Sequence, residues 1–225
     1  MIEIVAEISG NHGGNPNRAC DLIYEAAGAG CDYAKFQYYR PEDMPDRHEG
    51  DNDAMYRKLM VPDEWLPTLF DCAKWNCIGL FASVFSVRAV HELLKYDVPY
   101  IKLASPDSTP LPLETVDAII DAVPADVEII ASGRHGLDFS FLPKALYCPL
   151  GHPPTITEVD FSEFRRHNFW GFSDHTPGVR TPLAFIRAGA EMIEKHLKLD
   201  DDCVDAAFSA DPQTMKLLCR LAHNT

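Results

Sequence analysis

Short apolar runs rich in β-branched and aromatic residues recur along the chain, alternating with stretches whose apolar positions fall three and four apart. The runs from Glu3 to Ser9, Tyr33 to Gln37, Gly79 to Phe85, Pro99 to Ser105, Val127 to Ser132, Lys144 to Cys148, Asn168 to Asp174 and Ala190 to Leu197 predict eight strands. After the first, Asn15-Pro16 reads as a helix cap and first helical residue ahead of Ala19, Leu22, Ile23, Ala26 and Ala27, with Gly28 or Gly30 as the stop. Further helical stripes run through Trp65, Leu66, Leu69, Phe70 and Ala73, through Val87, Val90, Leu93 and Leu94, through Val116, Ile119, Ile120 and Val123, and through Met215, Leu218 and Leu221 behind Pro212. These stripes predict packing faces.

Strands alternating with helices imply parallel β/α units, arranged as a closed barrel or an open doubly wound sheet. No G-x-G-x-x-G or G-x-x-x-x-G-K-[ST] follows any strand, which removes the usual signature of the open nucleotide-binding sheet. The expectation is a compact (β/α)8 TIM barrel, a single domain over residues 1–225. Such barrels typically need about 250 residues. The shortfall is local: only Gly133 to Pro143 separates the fifth and sixth strands, and Gly151 to His167 the sixth and seventh. Helices after strands five and six are therefore expected to be short or missing. The segment from Tyr38 to Val61, with Arg40, Arg47, Arg57 and Lys58 among acidic residues, reads as a solvated loop, the alternative being a lid over the barrel mouth.

Composition narrows the partners. With 46% hydrophobic and 24% charged residues the 225-residue chain is too apolar to be disordered. Twenty Lys+Arg against 34 Asp+Glu give a formal charge of −14, which opposes nucleic acid and anionic membrane surfaces. No apolar run reaches the roughly 20 residues of a membrane span, and Met1-Ile2-Glu3-Ile4 lacks the basic start of a signal peptide. A cytoplasmic protein is expected. The seven cysteines are scattered without a C-x-x-C pair, which suits reduced thiols acting as small buried hydrophobes.

Candidate chemistry comes from strand parity. Alternate side chains of a barrel strand face the lumen, and catalytic groups sit at the C-terminal ends. Glu7 and Ser9 share one parity, as do Lys35 and Gln37, Ser173 and His175, and Glu194 and His196; Ser83 ends the third strand, and Lys102 opposes Ile101 and Leu103. Lys35 and Lys102 together make a local anion site suited to phosphate or carboxylate, which hydroxyls at Ser83, Ser105, Ser132 and Ser173 would complete. His175 and His196, on adjacent strands with Glu194 beside them, suit one divalent cation with open coordination positions.

Several strings in this order resemble the sialic acid synthase (N-acetylneuraminate synthase) family: Ala6-Glu7-Ile8 with Asn11-His12-Gly13-Gly14, Lys35-Phe36-Gln37, Ile101-Lys102-Leu103-Ala104-Ser105, Gly171-Phe172-Ser173-Asp174-His175-Thr176, Ile193-Glu194-Lys195-His196 and Ala207-Phe208-Ser209-Ala210-Asp211-Pro212. The resemblance spans residues 3 to about 215, and the pair SDHT and IEKH is its most specific part. It implies a (β/α)8 transferase that condenses phosphoenolpyruvate with the aldehyde of an N-acyl amino sugar or related aldose, giving a 3-deoxy-2-keto sugar acid and phosphate. It further implies Mn2+ or Mg2+ on His175 and His196, phosphoenolpyruvate held by Lys35, Ser83, Lys102, Ser105, Ser132 and Ser173, and sugar hydroxyls, proton transfer and water handled by Glu7, Asp107, Glu194 and Asp205.

The chain departs from the family pattern in places. A hydroxyl pair before Pro-Phe becomes Ala82-Ser83-Val84-Phe85, Ser-Thr-Gly becomes Ala131-Ser132-Gly133, a ligand-contacting Asn becomes Leu150, and an Asp-His becomes Asp205-Ala206. Family members usually continue into a C-terminal antifreeze-like domain that touches the acceptor sugar, whereas the sequence here runs to Thr225. An acceptor side open to solvent is the resulting expectation, unless a second copy, another protein or residues 38–61 cover it. Two other functions stay open: a non-catalytic barrel that binds sugar or phosphate or scaffolds a partner, and a metal-dependent aldolase or isomerase on the same fold. The inward charges argue against the scaffold, because they cost energy to desolvate.

Overall fold

The computed structural model describes residues 2–104, 111–133, 142, 144–149 and 159–224. Eight parallel strands close on themselves in sequence order: β1 (Glu3–Glu7), β2 (Tyr33–Tyr38), β3 (Gly79–Val84), β4 (Tyr100–Leu103), β5 (Glu128–Gly133), β6 (Lys144–Tyr147), β7 (Gly171–Asp174) and β8 (Met192–His196), with β8 pairing back onto β1. Most strands are shorter than the apolar runs suggested, whereas β2 extends one residue further to Tyr38 and β5 is shifted by one to Glu128–Gly133; Asn168, expected to open β7, is instead a turn residue at φ 53. The helices are α1 (Pro16–Ala29), α2 (Asn52–Leu59), α3 (Leu66–Trp75), α4 (Val87–Leu93), α5 (Leu113–Ala122), α6 (Phe161–Arg166), α7 (Arg180–Arg187) and α8 (Pro212–Ala222).

Local sequence accounts for the helix ends. Asn15 Oδ1 accepts from the N–H groups of Asn17 and Arg18, satisfying two otherwise unpaired donors of α1. Gly30, not Gly28, ends that helix, because the capping residue must adopt φ 92. Asp211 caps α8 through the Thr214 N–H, with Pro212 at its first turn. The helix after β6 is short as expected: α6 has six residues. The stretch between β5 and β6 that was expected to lack a full helix lies almost wholly outside the described residues.

The lumen is filled in layers. At its N-terminal end Tyr33, Phe81 and Tyr100 meet edge to face, with ring centroids 5.4–5.8 Å apart, and the Tyr100 hydroxyl donates to Glu3. With them Val5, Ile130, Leu146 and Met192 complete an apolar plug. Gly171 in β7 makes that layer possible: a Cβ there would stand 2.5 Å from the Met192 carbonyl oxygen and 2.6 Å from Leu146 Cδ2. Outside the strands, the opposite parity packs under the helices in one continuous core that includes Ile4, Phe36, Ile101, Phe172 and Ile193. With the lower lumen closed by apolar side chains, the polar residues of the same parity are left for the C-terminal mouth.

The segment between β2 and α3 is not a solvated loop. It forms a 3-10 turn at Pro41–Asp43 and the helix α2, and it buries Tyr39, Met44 and Tyr56 against Phe85. Tyr39 meets Tyr56 and Phe85 edge to face at 5.5 and 5.8 Å. Its basic residues form ion pairs: Arg57 with Asp53 and Glu42, and Arg40 with Asp63. The polar composition concealed this packing because the few apolar residues that carry it lie far apart in sequence. The cysteines also divide more than expected: Cys31, Cys148 and Cys219 are buried, whereas Cys77 is exposed.

Candidate active site

Strand parity and register bring the expected residues together. One cavity at the C-terminal mouth is lined by Glu7, Lys35, Ser83, Lys102, Ser132, Ser173, His175, Glu194, His196 and Asp205, together with Ser9, Gln37, Phe85, Ala104 and Cys148. Two further candidates, Ser105 and Asp107, lie outside the described residues, as does Leu150. Register explains the convergence: Glu7 is level with Lys35 on one side and His196 on the other, Ser83 with Lys102, and Ser173 with Glu194.

The two lysines are not a bare anion site, as parity alone suggested. Lys102 Nζ lies 2.6 Å from both carboxylate oxygens of Glu194, which also accepts from Ser173 Oγ at 2.9 Å. Lys35 pairs with Glu7, donates to Ser83 Oγ at 2.9 Å and stands 3.6 Å from Glu194. Two ammoniums and two carboxylates thus form a buried quartet without net charge. All four are almost inaccessible to solvent. Sequence could not show this, because the partners come from β1, β2, β4 and β8.

Burial and pairing pull the charges apart. Desolvation by itself would raise the Glu194 carboxyl, but Lys102 and Lys35 overcome it and hold it down at about 2. Glu194 is therefore ionised at neutral pH and can accept but not donate a proton there. For Lys102 burial wins and lowers its pKa, with Lys35 adding to the effect against the attraction of Glu194. For Lys35 burial pulls the same way, but Glu194 and Glu7 outweigh it and raise its pKa.

The imidazoles of His175 and His196 meet with ring centroids 5.1 Å apart and planes at 76°. His196 Nδ1 stands 3.0 Å from Asp205 Oδ2, so the carboxylate that the resemblance linked to substrate lies against the histidine. Asp205 is in turn placed by Asn11: its N–H donates to Asn11 Oδ1 at 3.1 Å, while Asn11 Nδ2 donates to the Leu197 carbonyl and Ser209 Oγ. Among the described residues no three His, Cys, Asp or Glu side chains form a ready metal cage.

Two contributors were not picked out as site residues, and a third buried residue, His12, lies outside the cavity lining. Phe208 packs its ring on both imidazoles, at 5.3 Å from His175 and 4.8 Å from His196; its only sequence signal was a place in a recognisable string. Ser9 sits at φ 34, rare for a non-glycine, with its N–H donating to Glu7 Oε1 at 2.7 Å, which fixes that carboxylate. His12 is buried edge to face against Trp65 with centroids 5.6 Å apart, and burial pushes its imidazole down to about 4.

The fold and the charged mouth place the chain among (β/α)8 barrels whose polar site lies at the C-terminal ends of the strands. The chain belongs to the NeuB family, whose model matches residues 22–122 and 154–225. Pseudaminic acid synthase of Helicobacter pylori is 30% identical over 240 residues, covering 93% of this chain and 70% of that protein. N,N'-diacetyllegionaminic acid synthase of Campylobacter jejuni is 26% identical over 246 residues, covering 96% and 74%. The crystal structure of N-acetylneuraminic acid synthetase from Leptospira borgpetersenii superimposes with a TM-score of 0.85 at 25% identity, covering 99% of this chain and 83% of that one. These relatives are sugar acid synthases. No helix among the described residues is long and apolar enough to cross a membrane.

Proposed function

We propose that this chain condenses phosphoenolpyruvate with the aldehyde of an N-acyl amino sugar or related aldose, giving a 3-deoxy-2-keto sugar acid and inorganic phosphate. The observation that carries the reading is the meeting of the lysine–carboxylate quartet and the imidazole pair in one cavity of a NeuB-family barrel. The relatives named as pseudaminic and diacetyllegionaminic acid synthases support the product class.

In this reading the phosphoenolpyruvate anion competes with Glu7 and Glu194 for the ammoniums of Lys35 and Lys102, and Ser83, Ser132 and Ser173 supply hydroxyl donors around it. Exchanging one buried anionic partner for another avoids stranding an ammonium in a dry site. Carbon 3 of phosphoenolpyruvate bonds to the aldehyde carbon, water adds at carbon 2, and the carbon–oxygen bond to phosphate breaks. Glu194, held ionised by the two lysines, and Glu7 beside it orient hydroxyls and the attacking water by accepting their hydrogen bonds.

The donor set fits a divalent cation. His175 and His196 stand at a spacing that would let two imidazoles hold one ion, with the Asp205 carboxylate beside His196. When bound there, Mn2+ or Mg2+ supplies Lewis-acid polarisation of the aldehyde oxygen.

The test is phosphate release from phosphoenolpyruvate across a panel of N-acyl amino sugars and simpler aldoses, with Mn2+ or Mg2+ present. Release only when an aldose is added, and its loss in His196→Ala, is expected. Absence of release with every aldose, or release without one, would overturn the reading.

A further inference from the structure

The strings SDHT and IEKH contain a residue that the proposed chemistry leaves without a role. Lys195 lies between Glu194 and His196 but faces away from the lumen, fully buried, level with Asp174 on β7. Its ammonium donates to Asp174 Oδ2 at 2.8 Å and to the Thr176 carbonyl at 2.7 Å, with a longer contact of 3.4 Å to the Phe208 carbonyl. Asp174 and Thr176 are the residues on either side of His175. Asp174 Oδ1 also accepts from the Thr176 N–H and hydroxyl at 2.8 and 2.7 Å, closing the turn around that histidine.

One buried ammonium therefore grips the chain before His175, the chain after it, and the residue whose ring packs on both imidazoles; it is itself the residue preceding His196. A buried ion pair adds little net stability over apolar side chains of the same volume. An apolar side chain there would fill the space without directing donors to both the turn around His175 and the segment at Phe208. We propose that Lys195 is a positioning residue: through Asp174, Thr176 and Phe208 its ammonium sets the mutual arrangement of His175 and His196. The proposal rests on the reading of those imidazoles as a divalent-cation site for its metal-binding arm, and stands on geometry alone for its spectroscopic arm.

The test compares wild type with Lys195→Met and with Lys195→Met/Asp174→Asn; the double variant leaves no uncompensated buried charge and keeps an acceptor for Thr176. Circular dichroism reports the fold of each. Mn2+ affinity, read by electron paramagnetic resonance, is expected to fall at least ~10-fold, in the range seen when an outer-shell partner of a metal ligand is lost. Phosphoenolpyruvate affinity without metal should stay within about twofold, which a general loosening of the barrel would not allow. Metal-free protein labelled with 15N-histidine should show the ring signals of His175 and His196 shifted or multiplied in the double variant. Unchanged ring signals together with unchanged Mn2+ affinity in the folded double variant would overturn the proposal. Failure of wild type to bind Mn2+ would overturn the metal-site reading instead, and the ring signals would then decide the role of Lys195.

Discussion

Lys102 on β4 and Glu194 on β8 meet across the barrel lumen, with the ammonium 2.6 Å from each carboxylate oxygen. Neither strand touches the other in the sheet, so the pair bridges opposite walls of the mouth. Removing Glu194 leaves the Lys102 ammonium buried without the carboxylate that holds it. Glu194→Gln is expected to destabilise the protein by about 3–5 kcal/mol. Adding Lys102→Met should restore part of that loss, giving a coupling of about 0.5–3 kcal/mol in a double-mutant cycle followed by urea unfolding. Strict additivity would show that the pair is energetically idle.

Lys35 contacts Glu7, Ser83 and Glu194 from one position, which makes it the better probe of anion binding. A charge-assisted contact is worth about 1.5–3 kcal/mol, so Lys35→Ala should weaken phosphoenolpyruvate by about 10- to 100-fold with little change in aldose affinity. Arginine should rescue only in part, because its planar fork does not reproduce a compact ammonium. Calorimetry showing equal affinity in wild type and Lys35→Ala would remove this residue from the anion site.

Chelation separates site from scaffold. The lumen plug and outer core are apolar and do not involve His175 or His196. Exhaustive treatment with a chelator should therefore abolish turnover, return it on adding Mn2+ or Mg2+, and leave the thermal midpoint within a few degrees. Full activity after chelation would contradict the cation reading.

His12 contributes a pH dependence to stability. Burial holds its folded-state pKa at about 4, below the ordinary 6.5, with a Leu59 backbone hydrogen bond opposing only in part. Between these values the unfolded chain binds the proton and the folded one does not. Stability should hence be complete above pH 6.5 and decline as pH falls toward 4, by roughly 3 kcal/mol from this residue. Urea midpoints between pH 7 and 4 should fall less steeply in His12→Gln than in wild type; parallel profiles would exclude the histidine.

Gly171→Ala tests the lumen layer. Its methyl would press on the Met192 carbonyl and on Leu146. Because backbone on β8 cannot yield without disturbing Glu194 and His196, a loss of about 1–3 kcal/mol and reduced activity are expected. An unchanged unfolding midpoint would show that the layer has slack.

What the sequence determined by itself is what local periodicity encodes. Short apolar runs placed all eight strands, the pair Asn15 and Pro16 placed α1, and the parity of Glu7, Lys35, Lys102, Ser173 and Glu194 put them on the lumen side, since side-chain direction along a strand is a local property. The apolar runs and stripes do not mark α7, and α2 lies in a polar segment whose buried Tyr39, Met44 and Tyr56 reveal themselves only against Phe85. Tertiary structure alone decided who partners whom. Closure of the barrel puts Glu194 on Lys102, Glu7 on Lys35, Asp205 on His196 and Phe208 over both imidazoles, turning an expected cationic pocket into a balanced quartet. Those pairings join residues from 9 to 92 positions apart and depend on strand register, barrel diameter and the path of the loops, and no local pattern carries that information, because each strand is compatible with many neighbours until the sheet closes.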